Sequence, residues 1–370
     1  MAVLDDLRAR SGEMQATLRS LVETESPSAD VEALRRCAEV VGRTGEELTG
    51  VAPDLLHSGG RPHLRWRFGA RPRVLLLGHF DTVWPLGTLQ RLPCRAVDGR
   101  LTGPGVFDMK AGIVQGFFAV AALGGAAGGV AMLLNSDEEI GSDSSRELIR
   151  EAARGVEAVL VLEPSQAGAL KVARKGVSQY RVSVEGRAAH AGLEPERGVN
   201  ATVELAHAVL ATQRMARAEV GTTVTPTVAS SGTATNVVPA AASLDVDVRA
   251  LSAEEQRRVD AEMHDLAATL PGARLSVEGG PNRPPLPAAA SRELFARAVT
   301  AARRIGLGEL RGVEVGGGSD GNYTAAEGVP TLDGLGADGD GAHAEHEHVL
   351  LASLPERAAL LVALIEDLLG

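Results

Sequence analysis

The sequence predicts an α/β fold: a mostly parallel sheet with flanking helices, interrupted by an inserted α+β domain of ferredoxin type. Three observations predict it. Short apolar runs near residues 73–80, 129–136 and 156–164 alternate with helical segments, the pattern of a parallel sheet with crossover helices. From residue 176 the pattern changes to alternating polar and apolar residues, the mark of half-exposed strands. At 370 residues, the chain is also longer than one ordinary domain.

Taken in order, residues 3–22 and 30–49 read as amphipathic helices, with a turn and cap signal at ESPS between them. RVLLLGHF reads as a buried strand ending near Gly78, and AGIVQGFFAVAAL (111–123) as a buried helix. GVAMLLNSDEE gives a second apolar strand ending near Asn135, SSRELIREAA a helix, and VEAVLVLEPS a third strand ending near Leu162. Strand 176–185, helix 198–213, strands 222–229 and 242–250, helix 252–270 and strand 273–278 then run β-α-β-β-α-β, the ferredoxin order. Helix 291–305, the glycine-rich GGGSDGN, strand VPTLDGLG and helix 354–369 resume the first pattern. The expected organisation is a discontinuous domain of residues 1–175 and 284–370, with residues 176–283 inserted between PNRPPLP and Gly176.

Composition narrows the function. A formal charge of −11 repels phosphate backbones, so no nucleic-acid partner is expected. No glycine-rich segment has the spacing of a nucleotide-phosphate loop. Cys37 and Cys94 lack metal spacing and read as buried small residues or free thiols. The N-terminus mixes acids and bases without the apolar run of a leader, and no stretch is read as spanning a bilayer, so no membrane partner and a cytoplasmic location are expected.

The chemistry gathers where the apolar strands end. VLLLG is followed by His79 and Asp81, AMLLNS by Asp137, Glu138 and Glu139, and AVLVL by Glu163. In open parallel sheets these carboxyl ends form the ligand crevice. One such acid alone reads as a solvated loop residue. Several together cost free energy unless a cation neutralises them, so the set points to metal. Two residues apart, Asp81 can accept from one imidazole nitrogen of His79 while the other binds an ion, although a surface ion pair has equal claim. Glu138 and Glu139 diverge as neighbours, so one can bind metal while the other acts as general base. Asp108, in GPGVFDMKAG, fits either a ligand or a simple helix cap.

HFDTVWP, GPGVFDMKAG, DEEIGS, LEPS, EGRAAHAG and TATNVVPA together, in this order from about residue 70 to 350, resemble the motif blocks of one family. It is the di-zinc peptidase family of glutamate carboxypeptidase, acetylornithine deacetylase, succinyl-diaminopimelate desuccinylase and aminoacylase, with the closest likeness to the glutamate carboxypeptidases. The resemblance implies two Zn²⁺ ions, with Co²⁺ able to substitute. His79 and Glu163 would hold one ion, Glu139 and His343 the other, and Asp108 would bridge them. Glu138 would be the general base and Asp81 the partner that orients His79. His343 is taken from GAHAEHEHV because the family has a histidine after a Gly/Ala turn, followed by polar residues including an acid. His346 and His348 are left as exposed or supporting. A cis peptide is implied at Asp108–Met109.

The inserted domain resembles the family's lid and dimerisation domain. Its His190 is similar to a histidine that reaches across a homodimer to polarise the scissile carbonyl. Asn236 and Arg249 match positions lining the substrate site, and Arg283 resembles an arginine that clamps a carboxylate, for which the guanidinium fork is suited. The function implied is zinc-dependent hydrolysis of an amide bond next to a free carboxylate, on a small molecule or short peptide. The alternative is an N-acyl amino acid deacylase of the same family.

Overall fold

The computed structural model describes residues 2–370. They form two compact units, one of residues 2–173, 287–315 and 319–370, the other of residues 174–286 with 316–318.

The first unit is organised by a six-stranded mixed sheet. The strands Val130–Asn135, Val74–His79, Ala158–Val161 and Thr331–Leu332 lie side by side and parallel. The hairpin Asp54–Ser58 and Arg61–Arg67 completes one edge antiparallel. The three parallel strands Val74–His79, Val130–Asn135 and Ala158–Val161 are buried along their whole length, as their unbroken apolar runs require of strands covered on both faces.

Helix Ala111–Leu123 packs on one face of this sheet with helix Ser353–Leu369. It sits close because Gly112 leaves room: a β-carbon there would stand 2.0 Å from the Leu162 carbonyl oxygen. The continuous stretch 106–129 is in fact long and apolar enough to cross a membrane, which corrects the expectation that no stretch is. Its apolar core, helix Ala111–Leu123, is buried against the sheet from Ala111 to Val120.

The second unit is a four-stranded antiparallel sheet. Thr223–Ser231, Ala241–Ala250, Gly176–Glu185 and Arg274–Arg283 are neighbours in that order, and helices Ala201–Gln213 and Ala253–His264 pack on it. Alternation sets the faces: Tyr180, Val182, Val184, Leu244, Val246 and Val248 point into one small core.

Candidate metal centre

Three neighbouring parallel strands end at one place. His79 is the last residue of its strand and lies in register with Asn135, while Leu77 pairs with Val161. The chain beyond Asn135 turns into Glu138–Ile140, and the chain beyond Val161 reaches Glu163 one residue after Leu162, whose amide donates to the Leu77 carbonyl (2.8 Å). Gly78 makes space for Met109, whose sulfur accepts the His79 amide proton (3.3 Å).

Asp108 sits in extended backbone (φ −112°, ψ 93°) just before the core helix, and the Asp108–Met109 peptide is cis. It does not cap that helix. A small sheet brings the His343 segment beside it, since His348–Leu350 pairs with Arg100–Thr102 at the start of the Asp108 loop. His343 itself holds φ at 62°, the left-handed region that a β-carbon disfavours.

The side chains converge accordingly. His79 Nε2 lies 3.3 Å from Asp108 Oδ1 and 3.4 Å from Glu163 Oε1. His343 Nε2 lies 3.4 Å from Asp108 Oδ2 and 3.1 Å from Glu139 Oε2. The two oxygens of Asp108 thus face different imidazoles. Candidate ligand atoms of His79, Glu138 and Glu163 fall within 4.8 Å of one another, as do those of His79, Asp108 and Glu139. His79 Nε2, Asp108 Oδ1 and Glu139 Oε1 are buried with no hydrogen-bond partner, an arrangement a cation would satisfy. Nitrogen and carboxylate donors of this kind suit divalent zinc-like ions.

Electrostatics tells the same story. Burial alone would lower the His79 pKa, but Asp108, Asp81 and Glu163 outweigh it and hold it well above the usual value. Asp108 and Glu139 push His343 up to about 11. Burial raises Glu139 to about 7, whereas the two imidazoles overcome burial at Asp108 and hold it low. These shifts reflect carboxylates crowded around two imidazoles, a charge arrangement that a bound cation would neutralise.

Around these residues lie carboxylates that hold the loops. Asp81 is fully buried. His79 Nδ1 lies 3.0 Å from its carbonyl oxygen and 3.3 Å from its Oδ1. Asp81 also accepts from the amides of Glu138 (3.2 Å) and Glu139 (3.3 Å) and from Ser28 Oγ (2.7 Å). Asp137 accepts from Ser144 and Ser145, and Asp320 from Asn135 Nδ2 and Ser142 Oγ, so the turn bearing both glutamates is tied at each end. Glu347, which sequence reasoning missed, accepts from Trp84 and from three backbone amides of the Asp108 loop. Its only sequence signal is the acid that follows the histidine in GAHAEHEHV. His346 is exposed, and His348 Nδ1 lies 2.9 Å from the His346 carbonyl oxygen; neither joins the ligand groups.

The remaining candidates belong to the second unit. His190 is exposed, and its Nδ1 accepts from the amides of Gly192 and Leu193 (3.1 Å each), which leaves the proton of the neutral ring on Nε2. Asn236 is brought beside it, its carbonyl accepting the Ala191 amide at 2.9 Å. Arg249 is gripped by both oxygens of Asp247 (2.8 Å each). Arg283 lies between Pro281 and Pro284, near the end of the second unit's main segment. It ends the last strand of its sheet, opposite Val177, and is buried.

Residues 75–367 match the peptidase family M20/M25/M40. The chain belongs to this family. It is 35% identical over 310 residues to carboxypeptidase G2 from Pseudomonas sp. (strain RS-16), covering 80% of this chain and 74% of that one. It is 29% identical over 278 residues to succinyl-diaminopimelate desuccinylase from Caulobacter vibrioides, covering 70% and 68%. Its fold is similar to that of a dinuclear metal binding peptidase of the M20 family from Bacillus subtilis, with a TM-score of 0.66 and 17% identity over 98% and 99% of the two chains. Membership makes the chain a hydrolase of amide bonds.

Proposed function

We propose that this M20 hydrolase is a di-zinc enzyme that cuts an amide bond beside a free substrate carboxylate, in the manner of a glutamate carboxypeptidase. The observation that carries the metal reading is Asp108 standing between His79 and His343, one oxygen toward each, with Glu163 and Glu139 on the outer sides. His79 and Glu163 would hold one ion, Glu139 and His343 the other, with Asp108 bridging. Bound divalent ions supply Lewis acidity and a water of lowered pKa. Glu138 would serve as general base, accepting a proton as a water oxygen adds to the amide carbon and returning it to the amine nitrogen as the C–N bond breaks. Asp81 fixes the tautomer and direction of His79. His190 would donate a hydrogen bond from Nε2–H to the carbonyl oxygen as negative charge develops there, from the partner subunit of a homodimer. The inserted domain acts as the lid. Asn236 and Arg249 line the substrate, with Asp247 holding the guanidinium of Arg249 in one orientation, and Arg283 grips the carboxylate.

The similarity to a carboxypeptidase and to a desuccinylase leaves two acyl classes, and both release an amine that carries a carboxylate. The test is a comparison of peptides ending in a free carboxylate, their C-terminal amides, and N-succinyl or N-acetyl amino acids, with the zinc-loaded enzyme. The proposal expects free-acid peptides to be cut and their amides to be poor substrates. Arg283→Lys should lower kcat/KM for the free acids by roughly 1.5–3 kcal/mol and leave the amides little changed. Equal cleavage of amide and acid would remove the carboxylate clamp. Preference for N-acyl amino acids would assign the deacylase.

A further inference from the structure

We propose that Glu347 is a positioning residue of the metal centre, fixing the Asp108 loop against the His343 segment and so setting the affinity for the ion those two residues share. This rests on the ligand assignment above. The Glu347 carboxylate is fully buried, and its hydrogen bonds go to an indole and to backbone amides rather than to a ligand side chain. Its Oε1 accepts from the amides of Phe107 (2.9 Å) and Asp108 (3.1 Å), and its Oε2 accepts from the Gly105 amide (2.9 Å) and the Trp84 indole (2.7 Å).

Four donors, two to each oxygen, match the acceptor capacity of a carboxylate, and bonds to an ionised carboxylate are the strong ones. They tie together three segments. Trp84 lies on the loop leaving His79 and Asp81, the amides belong to the Asp108 loop, and Glu347 follows His343 through a turn closed by its own amide on the Ala344 carbonyl (2.9 Å). The next residue, His348, pairs with Thr102 on the strand that leads into the Asp108 loop. A glutamine in place of Glu347 has one acceptor oxygen, so two of the four donors would face an amide NH₂ group whichever way it turned. The loop could then relax away from His343. Outer partners of metal ligands typically change affinity by about 10–100-fold.

The test is a zinc titration of metal-stripped wild type, Glu347→Gln and Glu347→Asp, by calorimetry and by competition with a chromogenic chelator. Tryptophan emission is read in parallel, since the chain has two tryptophans and one of them contacts Glu347. The expected result is two ions per wild-type chain and one of the two sites weakened about 10–100-fold in Glu347→Gln, with a smaller loss in Glu347→Asp, whose carboxylate is retained but shorter. A lower melting temperature with both affinities unchanged would mean a merely structural role and overturn the proposal. A wild type that binds no zinc would instead sink the ligand assignment. Hydrogen exchange on metal-free wild type needs no variant. Slow exchange of the 105–108 amides is expected, and exchange at the rate of an open loop would overturn the proposal even if both variants failed to fold.

Discussion

At the scale of single residues, the convergence of His79, Asp108, Glu139, Glu163 and His343 carries the proposed function, in which Glu138 is the proposed general base. The amide of Glu138 is fixed by Asp81 on the turn that follows the Val130–Asn135 strand, so substitution of its side chain should leave the turn in place. Glu138→Gln is expected to keep two bound ions and to lower kcat by about 10²–10⁴ at unchanged fold, since the amide retains shape and loses the proton acceptor. Steady-state kinetics on a metal-replete variant checks this, and a near-normal kcat would remove Glu138 from the mechanism. The acids and histidine at strand ends were legible in the sequence because apolar runs announce where a strand stops. Asp320 and Glu347 were not, because they act through loops distant in sequence: Asp320 reaches Asn135 and Ser142, and Glu347 reaches Gly105, Phe107 and Asp108.

At the scale of elements, periodicity located the long segments, and local chemistry decided their ends. The expected helix 3–22 is broken at Arg10 into Ala2–Ala9 and Ser11–Glu23. The expected helix 252–270 stops at His264, and the expected strand 273–278 runs on to Arg283. The hairpin over 54–67 was not anticipated, since its exposed outer strand offers only DLLHS and its inner strand Arg61–Arg67 pairs with Val130–Asn135, far along the chain. Helix Ala253–His264 supports a prediction of its own. Ser252 caps its first turn through the Glu255 amide, and the Glu255 carboxylate takes bonds from Arg258, Thr222 and Arg217. Arg258 above all lowers the Glu255 pKa from its ordinary 4.5 to about 2. A pKa lowered by folding means stability that is present above the unfolded value and lost as pH falls through the folded one. Glu255→Gln should therefore melt a few degrees below wild type at pH 7, with the gap closing between about pH 4.5 and 2. Thermal melts across that range check it, and a gap that stays constant with pH would contradict the role of the charge.

At the scale of the whole molecule, we expect a homodimer in which each site is completed by His190 of the other chain. Mixing inactive His190→Ala with inactive Glu138→Gln should produce heterodimers in which one site pairs an intact Glu138 with an intact His190. Activity should then return to a measurable fraction of wild type. Proven subunit exchange without returning activity would place His190 in cis or outside the reaction. The central claim, a two-ion hydrolytic site, is tested most directly by stripping the protein with a chelator and restoring zinc in steps while metal content and turnover of a free-acid peptide are both read. The account predicts no turnover in the stripped protein and recovery as bound zinc approaches two ions per chain, with cobalt also effective. Full turnover from a preparation shown by elemental analysis to hold no metal would contradict it.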